Sequence, residues 1–532
     1  MIIATRGERG LHAGKLRGMV RSILIILSLT ACSGFAETTT QPADPTARTT
    51  TRPATTQTGE KGDHLSVTSH SMQLNGKALK YTATAGTMAQ KDETGATKSD
   101  MFFVAYTLDG DGSGAKLSQR PVTFIFNGGP GAASVWLHLG TAGPKRIDID
   151  ENGVPAKPPF KLVENEASWL DASDLVFIDP VGTGYSRPAK DEKGEQFYGV
   201  QEDVRSVGSF IRLYVTRNKR WRSPKFLAGE SYGTTRAAGL SEYLLDKQGI
   251  SLNGIVLISS VLNFQTIAPS AANDLPFPLY LPSYTATAWY HKKLAGDLQA
   301  DLGKTLREVE QFALTDYLAA LAKGDDLPDA QRQEIAQKLS RYTSLPADWL
   351  IKANLRIDPS RFRKALLADQ RKVIGRFDSR VTGFSSDQID DNPEYDPSLS
   401  LFLPLYAGAL NDYVRNDLDF ESDLPYEVLT ERVQPWNFGN KGGGYLYVAD
   451  TLAATMLKNP QVKVLFATGQ MDLATPYFSA DYTAAHLELP PQLHKNITRE
   501  VYPAGHMLYH DPASRQKLHD DIARFIESAT AK

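Results

Sequence analysis

Short apolar, β-branched runs recur at 122–126, 175–178, 226–228, 255–259 and 462–467, each too brief to be a helix. Runs of this length suit strands buried on both faces, as in a parallel sheet covered by helices. Helical stripes lie between and after them. Val200, Val204, Val207, Ile211 and Tyr214 repeat at three- and four-residue spacing, and Leu518, Ile522, Phe525 and Ile526 form a similar stripe near the C-terminus. This strand–helix alternation predicts an α/β domain with a mostly parallel sheet and helices on both faces. Residues 265–430 depart from the pattern, with Leu, Ala and charged residues at helical spacing, Pro-rich joints such as 275–282 and no clear strand series. They read as a mostly helical cap insertion, dividing the α/β domain into 64–264 and 431–532.

The balance of side chains narrows the possible partners. Fifty-eight Lys and Arg oppose 61 Asp and Glu, so no basic excess exists to neutralise phosphates and nucleic acid is not an expected partner. The single cysteine, Cys32, excludes an intramolecular disulfide and a cysteine metal cluster. No ligand cluster stands out among the ten histidines, and neither metal nor cofactor is expected.

The N-terminus reads as an address. Arg6, Arg9, Lys15, Arg17 and Arg21 stand against one acid, Glu8, and an apolar run at 23–29 leads into Leu29-Thr30-Ala31-Cys32. That run is shorter than the roughly 20 apolar residues a membrane span needs. Its layout is that of a secretory signal, and its ending resembles a bacterial lipobox with Cys32 as the lipidated residue. Met19 offers a second start, since 19–32 is a compact signal by itself. Residues 33–63 are rich in Thr, Pro, Ala and Gln, bury too little apolar surface to order themselves, and read as a tether. Signal, lipid and tether together predict a body held at the bacterial envelope, and Ser33 after the cysteine favours the outer membrane by resemblance to sorted lipoproteins.

Three turns carry chemistry. Gly229-Glu230-Ser231-Tyr232-Gly233 follows the run at 226–228 and precedes a helical stretch at 234–245. Small residues around a serine permit a sharp strand-to-helix turn that lifts the hydroxyl clear of the sheet. Such a turn aims the backbone N–H of Tyr232 at a developing oxyanion. A serine nucleophile needs a base and an orienting carboxylate, which in this architecture follow in the order Ser, acid, His. Asp472 follows the run at 462–467 and His506 follows 499–502, so both fall where acid and base are expected. His510 and Asp511 sit at the start of the C-terminal helix and compete poorly. The third turn is Asn127-Gly128-Gly129-Pro130-Gly131, whose glycines permit close backbone approach and make Gly129 a second oxyanion donor. It lacks the Lys and Ser/Thr of a phosphate-binding loop.

These segments, with Asp179-Pro180-Val181-Gly182-Thr183-Gly184-Tyr185-Ser186 and Ala504-Gly505-His506-Met507, occur in one order that resembles the serine carboxypeptidase family over roughly 70–530. The resemblance implies an α/β-hydrolase fold with a cap between nucleophile and acid. It implies release of C-terminal residues from peptides through an acyl-enzyme. Ser231 would be nucleophile, His506 base and Asp472 its orienter, with Gly129 and Tyr232 lining the oxyanion hole. Asn127, Gly128 and Glu230 would hold the substrate's free C-terminal carboxylate, Glu230 by sharing a proton with it. Five positions depart from the family pattern. Thr141 stands where a second glutamate is usual, Ala132-Ala133 replace Cys-Ser, Gln470 replaces a common acid, and Ile125 replaces a tryptophan. Losing half of the acidic pair leaves an esterase or acyltransferase on the same triad as the alternative. The pocket's side-chain preference and the oligomeric state are not readable from the sequence.

Overall fold

The computed structural model describes residues 62–109, 119–150, 153, 157–387, 389–439 and 444–531. The signal, Cys32 and nearly all of the tether lie outside them. Asp63, at the tether's end, accepts a hydrogen bond from the Ala89 N–H at 3.1 Å and pairs with Arg217 at 2.7 Å.

Three long strands, β1 (His64–Leu74), β2 (Lys77–Lys91) and β3 (Thr97–Leu108), form an antiparallel meander. Six shorter ones follow: β4 (Val122–Phe126), β5 (Asp174–Ile178), β6 (Lys225–Glu230), β7 (Gly254–Ile258), β8 (Lys463–Gly469) and β9 (Ile497–Tyr502). The order across the sheet is β1-β2-β3-β5-β4-β6-β7-β8-β9, and a two-residue strand, Arg187–Pro188, pairs with β3 as the tenth. From β5 to β9 every neighbour is parallel, while β3 meets β5 antiparallel. The mostly parallel sheet expected from the apolar runs is present. Within the meander β1 and β2 were not signalled, because they mix exposed and buried positions and carry many polar residues, while the buried apolar run Met101–Tyr106 of β3 was passed over.

Alternation along each strand sends successive side chains to opposite faces. Leu227, Ile255, Leu257, Val464 and Phe466 point to one face, covered by α1 (Val200–Arg217), α2 (Tyr232–Gln248) and α5 (Ala449–Lys458). Phe226, Ala228, Val256, Ile258, Leu465 and Ala467 point to the other. There α6 (Pro512–Thr530) supplies Leu518, Ile522 and Phe525, and α4 (Pro397–Asn416) supplies Phe402, Leu405 and Tyr406. Both helical stripes read from the sequence therefore face the sheet.

Within 265–430 the chain is mostly helical and begins with α3 (Pro276–Tyr290). Tyr284, Tyr317, Leu339, Leu350, Phe362 and Ile374 belong to an apolar cluster of its own. Two features go beyond the expectation. Lys372–Ile374 and Thr382–Phe384 form a short antiparallel pair, and α4 packs into the core beneath the sheet instead of into the insertion's cluster. Among the described residues no helix is long and apolar enough to cross a membrane.

Candidate active site

Ser231 sits between β6 and α2 with φ 61° and ψ −130°. A non-glycine residue there costs about 1–3 kcal/mol, and such strain persists only where surrounding contacts over-determine it. Here the Ser231 N–H donates to the Ile258 carbonyl at 3.0 Å, and the Ser231 carbonyl accepts from the Thr234 N–H at 2.8 Å. The flanking glycines are sterically required. A Cβ on Gly229 would lie 2.2 Å from the Gly233 carbonyl oxygen, and one on Gly233 would lie 2.9 Å from that of Phe126. The strand thus turns into the helix at backbone contact distance, leaving the serine part-exposed at the helix N-terminus. The first N–H groups of a helix have no intrahelical acceptor.

The Asn127–Gly131 loop packs directly on this turn. A Cβ on Gly128 would fall 2.5 Å from the Tyr232 nitrogen, while Gly129 has φ +99°. The buried Arg236 of α2 donates to the Asn127 carbonyl at 2.5 Å and pairs with buried Asp203 at 2.7 Å. One ion pair therefore ties the loop to the helix that carries Ser231.

Asp472 and His506 come together as the sequence order implies. His506 Nδ1 lies 2.7 Å from Asp472 Oδ2, and both residues are buried. Asp472 Oδ1 accepts from the backbone N–H groups of Ala474 (2.7 Å) and Thr475 (3.0 Å). The Thr475 hydroxyl lies 2.8 Å from Asp472 Oδ2, 3.0 Å from the Ser259 carbonyl and 3.2 Å from His506 Nδ1. Ser259, at the end of β7, donates from Oγ to the His506 carbonyl at 2.7 Å.

A segment of the insertion, 376–379, threads between the acid and base loops. The Phe377 carbonyl accepts from the His506 N–H at 2.6 Å, the Arg376 carbonyl accepts from the Leu473 N–H at 3.0 Å, and the Ser379 N–H donates to the Met471 carbonyl at 3.0 Å. Sequence reasoning missed this segment and Thr475. Backbone acceptors leave no residue signature, and a threonine three residues after an aspartate is commonplace.

Glu230 and Asn127 meet behind the nucleophile turn. Asn127 Nδ2 donates to Glu230 Oε1 at 2.9 Å, and Asn127 Oδ1 accepts from the Leu137 N–H at 3.0 Å. Burial first, then the charge of Asp472, push the Glu230 carboxyl up to about 7, against the opposing pull of His506, Tyr509 and Asn127. Thr141 lies on a single π-helical turn, His138–Ala142, fully buried, and its hydroxyl has no partner. Ile125 is a core residue. His510 lies elsewhere, stacked on Phe402 at 3.7 Å and 2.9 Å from the Tyr406 hydroxyl, and Asp511 caps α6. Among the described residues no group of three or more His, Cys, Asp or Glu gathers as a metal site would.

A family model described as serine carboxypeptidase matches residues 78–507. The pheromone-processing carboxypeptidase KEX1 of Yarrowia lipolytica is 30% identical over 145 residues, which cover 27% of this chain and 22% of that protein. KEX1 of Saccharomyces cerevisiae (strain ATCC 204508 / S288c) is 35% identical over 148 residues, 26% of this chain and 19% of that one. Serine carboxypeptidase-like 34 of Arabidopsis thaliana is 30% identical over 158 residues, 28% and 30% of the respective chains. The matched segments thus span less than a third of each relative's length. Among solved structures, the prohormone-processing carboxypeptidase KEX1(delta)p of Saccharomyces cerevisiae superposes with a TM-score of 0.52 at 17% identity, covering 84% of this chain and 91% of that one. At that identity the likeness speaks for the fold, an α/β-hydrolase.

Proposed function

Since the chain belongs to the serine carboxypeptidase family, we propose that it is a serine-type carboxypeptidase that removes C-terminal residues from peptides through an acyl-enzyme. The observation that carries this reading is the buried Asp472–His506 hydrogen bond. With Nδ1 engaged by the carboxylate, the imidazole keeps Nε2 as its proton acceptor, the tautomer a base toward a serine hydroxyl requires.

In this mechanism Ser231 Oγ attacks the last peptide carbonyl and His506 Nε2 takes the hydroxyl proton. The tetrahedral oxyanion is held by the N–H groups of Tyr232 and Gly129. Collapse breaks the C–N bond, and His506 returns the proton to the leaving amine. Water, deprotonated by the same imidazole, then hydrolyses the ester on Ser231. Asn127, the Gly128 backbone and Glu230 hold the substrate's C-terminal carboxylate. Two facing carboxylates repel, so Glu230 must carry a proton to do this, and its raised pKa supports that role up to near neutrality.

The test offers the body from Gly62 onward blocked dipeptides as free acids, amides and esters across pH 4 to 8, with Ser231→Ala as control. Preference for the free acid, lost in the control, is the expected result. Turnover of esters alone would transfer the same triad to an esterase or acyltransferase, the reading favoured by Thr141 standing in place of a second acid. We further propose that Cys32 is the lipid attachment site, anchoring the enzyme in a bacterial envelope, with the outer membrane favoured by Ser33. Cys32→Ala then moves the full chain from the membrane to the soluble fraction.

A further inference from the structure

The chain between the two short strands of the insertion, 375–381, is tied to the insertion on one side and to the catalytic loops on the other. The Gly375 N–H donates to the Val381 carbonyl at 2.9 Å and closes it as a hairpin loop. Ser379 Oγ shares a hydrogen bond with Thr287 of α3 at 2.6 Å, and the Ser379 carbonyl accepts from His291 Nε2 at 2.7 Å. The Phe377 N–H donates to Ser398 Oγ, in the first turn of α4, at 3.2 Å. Arg380 pairs with Asp378 at 2.7 Å and donates to the Pro503 carbonyl, three residues before the base, at 3.2 Å. The approach is close enough to require glycine at 505. A Cβ there would lie 2.6 Å from the Asp378 Cβ and 2.6 Å from the Phe377 carbonyl oxygen.

His506 is consequently held at both ends of its own main chain, its N–H by the Phe377 carbonyl at 2.6 Å and its carbonyl by Ser259 Oγ at 2.7 Å. Its imidazole is anchored at one atom, Nδ1, which lies 2.7 Å from Asp472 and 3.2 Å from the Thr475 hydroxyl. Contacts at a single ring atom leave the ring plane free to swing about it. The Phe377 ring limits that swing. Its centroid stands 5.2 Å from that of the imidazole with the planes at 60°, and among the described residues it is the aromatic ring packed on His506. The phenyl is itself held, with the Arg376 guanidinium carbon 5.3 Å from its centroid.

We propose that Phe377 is a positioning residue for the base, its carbonyl fixing the His506 main chain and its ring fixing the angle of the imidazole. This rests on the reading of Ser231 and His506 as nucleophile and base. Nε2 must first take the proton of Ser231 Oγ and then hand it to the leaving amine, two atoms in different places. Both transfers need hydrogen-bond geometry, and a displacement of about 1 Å can cost about a hundredfold in rate. The insertion thereby enters the catalytic machinery through one residue of its hairpin loop. Phe377 acts through the imidazole, so losing its ring should slow every step in which His506 moves a proton, whatever the leaving group, and leave substrate binding alone. The main-chain contact survives any side-chain substitution at 377, which isolates the part played by the ring.

The experiment compares the wild type with Phe377→Leu and Phe377→Tyr. It measures kcat and KM for a blocked dipeptide free acid and its ester, the rate at which a fluorophosphonate labels Ser231, and a thermal melt of each protein. Phe377 is part-exposed, so a shorter side chain there leaves little cavity. Phe377→Met is measured alongside, so that a folded variant without the ring is read if the leucine variant fails to fold. In Phe377→Leu, kcat on every substrate the wild type turns over should fall roughly tenfold with KM within about twofold, and labelling should slow in proportion. Phe377→Tyr, which keeps the ring, should restore all three. A lowered melting temperature with wild-type kcat and labelling rate would reduce Phe377 to a support of the fold and overturn the proposal. A raised KM with kcat and labelling unchanged would make it a substrate contact and overturn it equally. A wild type that labels on Ser231 but turns over esters alone overturns the carboxypeptidase reading, and the leucine variant's ester kcat and labelling rate then decide this role. A wild type with no labelling of Ser231 overturns the triad and this role with it.

Discussion

Asn127 Nδ2 donates to Glu230 Oε1 at 2.9 Å while the carbonyl of the same asparagine is held by Arg236 at 2.5 Å. One residue thereby joins the loop after β4 to both sides of the nucleophile turn, Glu230 before Ser231 and Arg236 after it. The groups proposed to bind carboxylate and oxyanion are thus parts of one hydrogen-bonded assembly.

The buried Glu230 carboxyl sets a pH dependence with a definite sign. Its folded pKa, about 7, is above the ordinary glutamate value of 4.5, so the native state keeps a proton that the unfolded chain releases. Stability is then unaffected below about pH 4.5, falls as pH rises toward 7, and levels off above it, by about 3 kcal/mol in all. Glu230→Gln removes that slope. Denaturant melts at pH 5 and pH 8 should show a smaller stability difference in the variant than in the wild type, and its free-acid KM should lose the rise near pH 7.

Thr475 has no place in the chemistry, yet its hydroxyl touches Asp472, His506 and the Ser259 carbonyl together. Thr475→Val keeps the shape and deletes the hydroxyl. The lost hydrogen bond, about 1–1.5 kcal/mol, should appear as a fall of roughly tenfold in kcat with KM little changed. Steady-state kinetics on one peptide substrate decides this, and an unchanged kcat would remove Thr475 from the account.

At Gly128 an added Cβ meets only backbone: the nitrogens of Tyr232 and Gly233 and the Glu230 carbonyl, all within 2.7 Å. None of these is the free end of a flexible side chain. Gly128→Ala should destabilise the fold by about 1–3 kcal/mol. It should also displace the oxyanion loop, cutting kcat by ~100-fold. A thermal melt and a single turnover-rate measurement separate the two effects.

Much of this was legible in the residues. Five of the parallel strands, β4 to β8, announced themselves because both of their faces are largely buried, which makes the sequence apolar. Ser231 and Asp472 could be read because each follows the end of such a strand, and His506 because it follows the more exposed β9 in the order the acid and base require. In the meander β1 and β2 gave no comparable signal, since strands with one wetter face mix polar and apolar residues at a chain length a helix could also occupy, and the buried run Met101–Tyr106 of β3 was passed over. The contacts of Phe377 and Arg376 with the base and acid loops run through backbone carbonyls, which any residue supplies.

The central claim is that Ser231 is a nucleophile served by His506 and Asp472. The most direct test treats the folded protein with a serine-directed fluorophosphonate and locates the adduct by peptide mass mapping. A single adduct on Ser231, absent in Ser231→Ala and formed far more slowly in His506→Ala, is the result the account predicts. No adduct, or one on another residue at the same rate in all three proteins, would contradict it.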